Sequence, residues 1–481
     1  MKLSKVLKSY WPFFLILLIS AILRFWRLEQ LTTFGGDQGY DFLIAKGILQ
    51  GKFTLLGPKI GPYNNFGNLY LGPAYYYLIA PWLFLFQLDP IGPAFFTVMT
   101  ALATISLIFI IANQFLSKRI AILASAIYGL NAILIEQSRA SSNPHLIPFF
   151  AAVSVYSYLK TSQDKSKSIL WPLLAGFSVG IAFQLHYLAI SLLIVILIFN
   201  LLNSKYKAII LVFIGLMLAL GGQILFEFRH NFFVTNLFLI QMHQGKVLSL
   251  ATVLKNINSS ARLLTSAFIF SPILIFILFN KNLLKKQLIT FLLTSTILGF
   301  FLVVIYPGNP QPHYFAPIYV SVILLISTIF SSFLDPKQNF FIKFAVMVIL
   351  TIYFLINISS YHLLRKNGYT MPDGWNLTGI KFASKAIAND VDNERTFNVA
   401  ATLDGDTRAM PYRYMLSVYG KTPLGVEKYP QAQVIYLVSR DSLDEIKNYS
   451  VWEIASFWPY NISKIADVQN GIRVYKLTKT N

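Results

Sequence analysis

A polytopic α-helical membrane protein with a small extracytoplasmic α/β domain at its C-terminus is the fold class this sequence predicts. Three observations predict it. First, 55% of the 481 residues are hydrophobic and only 12% are charged, against about 25% charged in an average soluble domain. Second, the mean hydropathy is +0.58, and a soluble chain of this length has too little interior to hide that much apolar surface. Third, the acids are segregated: 12 of the 20 lie in residues 361–481. The net charge is +20. Most basic residues of the apolar part sit in short loops, which points to membrane orientation and away from nucleic acid. The absence of cysteine excludes disulfides, thiolate metal sites and a cysteine nucleophile.

The elements follow in order. Lys2, Lys5 and Lys8 precede an apolar run, Trp11–Ile22, that ends in Arg24 and Arg27 without a small-residue cleavage site. This predicts an uncleaved first span starting in the cytoplasm. A span needs roughly 20 apolar residues. Eleven segments qualify: 10–28, 93–115, 119–137, 143–160, 168–186, 187–203, 206–227, 262–280, 287–306, 314–333 and 340–360. Segment 69–88 is a twelfth by hydropathy alone. If it does not cross, the short loops on one side carry 15 Lys and Arg and the longer loops of residues 1–361 on the other carry 10. If it crosses, the basic clusters after residue 116 all flip outward, against the positive-inside rule. The expectation is therefore a juxtamembrane or re-entrant helix over 69–88, inside a long outer loop of residues 29–92. Its seven aromatics, Pro73 and Pro81 suit an interfacial position; an ordinary span is the alternative. This predicts about eleven spans in residues 1–360, with the N-terminus inside and the C-terminus outside.

Residues 361–481 read as a soluble α/β domain. Phe397–Leu403, Val434–Val438, Val451–Phe457 and Ile472–Leu477 alternate as strands, and Asn376–Ala388 and Arg408–Tyr419 pattern as helices. No internal repeat or low-complexity segment is present.

The apolar part holds eight acids. Asp164 and Asp335 fall in cytoplasmic loops. Glu29, Asp37, Asp41, Asp89, Glu136 and Glu227 fall in outer loops or at outer span ends. None lies at the middle of a predicted span, which counts against a proton-coupled carrier, though not against every carrier, and places any chemistry at the outer surface. The first outer loop is the richest stretch. Gly35-Gly36 is expected to allow a tight turn. Asp37 then opens a short helix carrying Tyr40 and Asp41, with the two acids on one face. Asp37 reads either as a helix N-cap or as a general base in a half-buried cleft, and spacing alone favours the cap. Asp404-Gly405-Asp406 reads as a turn rather than a nucleotide–metal motif. No P-loop, dinucleotide fingerprint, zinc-protease or serine-hydrolase motif occurs.

The layout resembles the GT-C class of membrane glycosyltransferases, in the branch of protein O-mannosyltransferases and lipid A aminoarabinose transferases. The matching pieces are Arg24 and Arg27, Gly36-Asp37-Gln38-Gly39-Tyr40, Leu71-Gly72-Pro73-Ala74-Tyr75-Tyr76, Lys118-Arg119, and the second outer loop Gln137–His145. They cover about residues 1–330, and they are short motifs that specify a class and not a substrate. The resemblance implies a sugar donor on a polyprenyl phosphate. The acceptor would be a glycan, lipid or protein hydroxyl at the outer face of the plasma (inner) membrane. It also implies that Asp37 is the catalytic base of a single, inverting displacement, which reverses the preference for a cap. Two positions depart from the family pattern. Gln38 replaces a Glu, and Asn143 stands where many relatives carry an Asp, which leaves a divalent metal an open question. Glu136 and Asp41 are candidate substitutes, and Tyr40, Gln38 and Asn143 are candidate acceptor contacts. The leaving phosphate calls for cations or donors at the outer surface. The candidates are Arg139, His145, His186, Arg229, His313 and Tyr314, each equally readable as an interfacial side chain facing headgroups. The competing functions are a flippase or other transporter of lipid-linked glycans, and a glycan polymerase or ligase.

Overall fold

The computed structural model describes residues 2–60, 69–163, 168–244, 249–268, 271–279, 281–306, 309–403 and 405–480. Asp164, Lys165 and Lys167 of one basic loop, Pro307 and Gly308 before His313, and Asp404 lie outside them. Apolar helices dominate residues 2–359. Six are long and apolar enough to cross a bilayer: Lys8–Phe25, Ile91–Phe115, Tyr206–Arg229, Gln287–Ile305, Pro312–Phe333 and Phe340–Ser359. The pair Lys118–Gly129 and Ala132–Arg139 makes a seventh if counted as one span, bent by 59°. Ile147–Gln163, Leu170–Leu185 and Tyr187–Leu202 are shorter apolar helices. Ten of the eleven expected segments thus coincide with helices of a multi-pass membrane protein.

Two expectations are corrected. Segment 119–137 is broken, because Asn131 leaves helical geometry and its side chain accepts from Leu134 N at 3.0 Å to start a new helix. Segment 262–280 is not one helix. A helix covers Leu250–Ala267, and the described residues beyond it form a 3-10 turn, Ser271–Leu274, which holds Pro272, and the short helix Ile275–Phe279. The helix inside segment 69–88 covers only Ala74–Leu85, 12 residues or about 18 Å, well short of the roughly 30 Å hydrocarbon layer.

The bundle is organised around Pro312–Phe333. Val320, Val322, Ile323, Leu324, Leu325 and Ile326 are fully buried, so this helix is apolar all round because protein surrounds it. The helices Tyr206–Arg229 and Phe340–Ser359 are just as apolar but mostly exposed, as expected of lipid-facing surfaces. Close packing comes from small residues. A Cβ on Gly176 would meet Val212 O at 1.9 Å, and one on Gly215 would meet Leu173 O at 2.1 Å, so the helices Leu170–Leu185 and Tyr206–Arg229 touch backbone to backbone.

The C-terminal domain carries a four-stranded sheet in the order Phe397–Ala401, Val434–Ser439, Arg473–Lys479, Tyr460–Asp467. The first pair is parallel, with Phe397 opposite Val434; the other pairs are antiparallel. The first two strands are buried along their whole length. The edge strand Tyr460–Asp467 alternates only weakly, which is why the pattern did not reveal it. Val451–Phe457, expected as a strand, contains the short helix Trp452–Ala455. Ile454 in that helix and Phe457 in the turn after it are both buried, and so short an apolar run does not separate a helical turn from a strand.

Candidate active site

The helix Gly36–Leu49, here the loop helix, organises the site. Its cap position is Gly35, in extended geometry at φ −101° and ψ −164°. The expected tight turn is therefore absent, and neither Gly35 nor Gly36 has positive φ. Gln38 performs the capping, its Oε1 accepting from Gly35 N at 3.0 Å. Asp37 sits inside the first turn, so its carboxylate is not the cap. It is open to water, yet closely surrounded. Burial raises its proton affinity first and the neighbouring Asp406 raises it further, while Arg408 opposes both.

One turn on, Asp41 is buried and hydrogen-bonded to Tyr76 of the helix Ala74–Leu85. Burial and the charge of Asp37 push its carboxyl well above the usual carboxylate range, against the Tyr76 bond. The adjacent Tyr75 meets Ser141 of the second outer loop through its hydroxyl at 3.0 Å. Tyr40 faces Lys59, whose Nζ lies 6.0 Å from the Tyr40 ring centre and 5.8 Å from that of Tyr70. Lys59 is a cation beside the site that sequence reasoning missed. Its one signal was that it is one of three lysines, with Lys46 and Lys52, in the acid-bearing loop.

A second polar cluster forms where three apolar helices meet loops. His186 ends the helix Leu170–Leu185, and His313 and Tyr314 open Pro312–Phe333. The His186 ring centre lies 5.9 Å from His313 and 5.0 Å from Tyr314, with Tyr306 at 5.1 Å from Tyr314. His145 is close enough to act electrostatically on His313. Backbone contacts orient two of the rings. His145 Nδ1 lies 2.7 Å from Ala140 O, so it carries the proton and donates, while His186 Nδ1 accepts from Leu188 N at 3.3 Å. This leaves an Nε2 acceptor on neutral His145 and an Nε2 donor on His186. The two clusters adjoin: Ala74 N donates to Gln184 Oε1 at 3.2 Å, and the Tyr187 hydroxyl donates to Tyr70 O.

The other expected residues lie apart or are engaged. Arg139 is buried, and its guanidinium donates to Leu23 O at the end of the first helix. Glu136 lies 3.5 Å from Arg365. Asn143 donates to Leu185 O at 2.7 Å and so ties the second loop to the helix that presents His186. Arg229 is exposed at the end of its helix. Among the described residues, no three His, Cys, Asp or Glu side chains converge in a group that could hold a metal.

The fold and site define a class, a multi-pass membrane protein with the GT-C fold and its polar residues gathered around loop one and nearby helix ends. Residues 71–227 match the family described as dolichyl-phosphate-mannose-protein mannosyltransferase; the match begins beyond Asp37. The whole chain is similar in structure to ArnT from Cupriavidus metallidurans bound to undecaprenyl phosphate, with TM-score 0.61 and 13% identity over 97% of each chain. It is also similar to the archaeal oligosaccharyltransferase AglB from Archaeoglobus fulgidus, in complex with an inhibitory peptide and a dolichol-phosphate. There the TM-score is 0.50 at 14% identity, covering 90% of this chain and 70% of that one. The arabinofuranosyltransferase AftD from Mycobacteria matches with TM-score 0.55 and 13% identity over 98% of this chain and 40% of its own. No curated protein matches by sequence. The resemblance to GT-C glycosyltransferases, in the branch of O-mannosyltransferases and ArnT, therefore holds at the level of fold.

Proposed function

We propose that this chain transfers a sugar from a polyprenyl-phosphate donor to an acceptor hydroxyl at the extracytoplasmic face of the plasma membrane. Asp37 is the general base, and the anomeric carbon is inverted. One observation carries this: in a fold whose solved relatives hold undecaprenyl phosphate and dolichol-phosphate, Asp37 projects a carboxylate that is not used as a cap and whose proton affinity is raised. The N-terminus lies in the cytoplasm, residues 1–360 carry the catalysis, and residues 361–481 face outward. The sugar is a hexose or pentose, and the acceptor a glycan, lipid or protein.

The chemistry follows from the residues. The acceptor oxygen attacks the anomeric carbon while Asp37 takes its proton. The bond from that carbon to the phosphate oxygen breaks, and its electron pair leaves with the polyprenyl phosphate. A carboxylate with raised proton affinity is a better base near neutrality than an ordinary one. Asp41, buried and tied to Tyr76, keeps the loop helix seated on Ala74–Leu85, and its raised proton affinity lessens the charge it sets beside the base. Lys59 and the donors of His186, His313 and Tyr314 stabilise the charge developing on the leaving phosphate, while His145, whose ring N–H is held by Ala140 O, shapes the cluster.

The test is binding and turnover of a panel of polyprenyl-phosphate sugars in nanodiscs, wild type beside Asp37→Asn. The expected result is saturable binding of one donor, retained in the variant while transfer is lost. Retained turnover removes Asp37 from the mechanism. Absence of binding to any donor by folded protein favours a transporter or polymerase.

A further inference from the structure

The C-terminal domain is seated directly on the loop helix. A Cβ on Gly36 would lie 2.4 Å from Asp406 Oδ2, and one on Gly39 would lie 2.4 Å from the backbone of Met410. At Gly39 the neighbour is backbone, so only glycine allows the approach, and at Gly36 a side chain would have to displace the Asp406 carboxylate. The docked segment, residues 405–410, is itself tightly built. Arg408 Nε and Nη2 hold Asp406 in a two-pronged ion pair at 2.7 and 2.9 Å. Buried Arg413 donates its Nε to Arg408 O at 2.7 Å and braces the segment from the domain core. Ala409 adopts left-handed geometry at φ 56°, a strained conformation for a side chain with a Cβ and one that surrounding contacts must hold. Further contacts fix the seating. Lys46 Nζ donates to Ser417 O at 2.5 Å, the Tyr414 hydroxyl donates to Leu88 O at 2.7 Å, and Lys381 pairs with Glu29 and Asp89 at 2.8 and 2.6 Å.

We propose that Asp406 and Arg408, carried by the C-terminal domain, are positioning residues for Asp37: their ion pair is pressed against Gly36 and sets the charge environment of the base. The proposal rests on the role given to Asp37 above. The groups that interact electrostatically with Asp37 are Asp41 on its own helix, Tyr75 on Ala74–Leu85, and Asp406 with Arg408 from the domain. Asp406 is the like charge that raises the proton affinity of Asp37, and Arg408 the opposite charge that lowers it. The domain thus tunes a catalytic group belonging to a different part of the chain.

The test measures the proton on Asp37 without relying on turnover. Dicyclohexylcarbodiimide modifies protonated carboxyls, so its incorporation at Asp37, read by peptide mass spectrometry against pH in the full-length protein, gives a midpoint. Asp406→Asn should lower that midpoint and Arg408→Gln should raise it, each by on the order of one pH unit. Arg408→Lys should restore most of the wild-type value. A purely structural role would shift both variants the same way or neither. Equal midpoints in folded Arg408→Gln and wild type overturn the proposal, and if Asp406→Asn fails to fold the arginine pair of variants decides alone. Because labelling does not require transfer, loss of the opposite shifts defeats this coupling. Retained transfer by Asp37→Asn defeats the transferase mechanism instead.

Discussion

The acid cluster and the histidine cluster are built in opposite ways. Asp37, Tyr40 and Asp41 come from one turn and a half of a single helix, and their partners arrive from elsewhere: Tyr76, Lys59, Asp406 and Arg408. His145, His186 and His313 come from three separate helix ends, brought together by the packing of Ile147–Gln163, Leu170–Leu185 and Pro312–Phe333. The first cluster has its chemistry encoded locally and its electrostatics imposed by tertiary contact. The second exists only through tertiary contact. A base must have a defined geometry toward one proton, which a short helix supplies. A phosphate site needs several donors around one anion, which several helix ends supply more readily.

The largest test of this contrast is Asp37→Asn, which should cut transfer by about 10²–10⁴-fold in kcat, the usual worth of a positioned base, with donor KM nearly unchanged in steady-state assays. His186→Ala with His313→Ala should do the reverse. Donor affinity should fall by about 10–100-fold, in line with 1.5–3 kcal/mol for hydrogen bonds to a charged group, with a smaller change in kcat. If the double variant lowers kcat and leaves donor binding intact, the histidines are not the phosphate site. Gly39→Ala comes next. The added methyl meets rigid backbone, so docking of the C-terminal domain should weaken by about 1–3 kcal/mol, seen as a lower thermal midpoint in detergent and easier proteolytic release of residues 361–481. An unchanged midpoint would mean that the close approach has no energetic weight.

The smallest effect sharpens the role of Asp41. Its proton is held more tightly in the folded protein than in the unfolded chain. Folding therefore takes up a proton once pH exceeds the unfolded value near about 3.9. Stability falls as pH rises further, until the folded group also ionises. Asp41→Asn removes this dependence. Its thermal midpoint relative to wild type should climb by a few degrees as pH rises, and a gap constant with pH would show that Asp41 is already ionised when folded.

Much of the architecture was legible because lipid imposes a simple rule: a spanning segment must bury its own backbone hydrogen bonds and present apolar side chains over a fixed thickness. The rule gave ten helical segments and the short helix Ala74–Leu85, and the change in acid density marked the C-terminal domain. It did not foresee the break at Asn131 or the interrupted stretch after Ala267, since hydropathy averages over a window and a cap acts through one side chain. Within the site, Asp37 stood out as an acid at a glycine-flanked helix start. The glycines themselves were misread, because a residue type that permits a turn also permits a close neighbour, and nothing local distinguishes the two. Arg139 was singled out from its position at an outer helix end, and it instead satisfies the carbonyl of Leu23.

The sequence by itself determined that this chain lives in a membrane, that its acids avoid the middles of the spans, and that one short helix after the first span holds the acids most suited to chemistry. Periodicity, composition and charge balance act over neighbouring residues, so they survive in a linear text. Only the tertiary structure decided which charges surround Asp37, that three distant histidines share one cluster, and that residues 405–410 of the C-terminal domain rest on Gly36 and Gly39. Those outcomes depend on the distance between groups hundreds of residues apart, and the Coulomb and packing energies that give them meaning are functions of that distance alone.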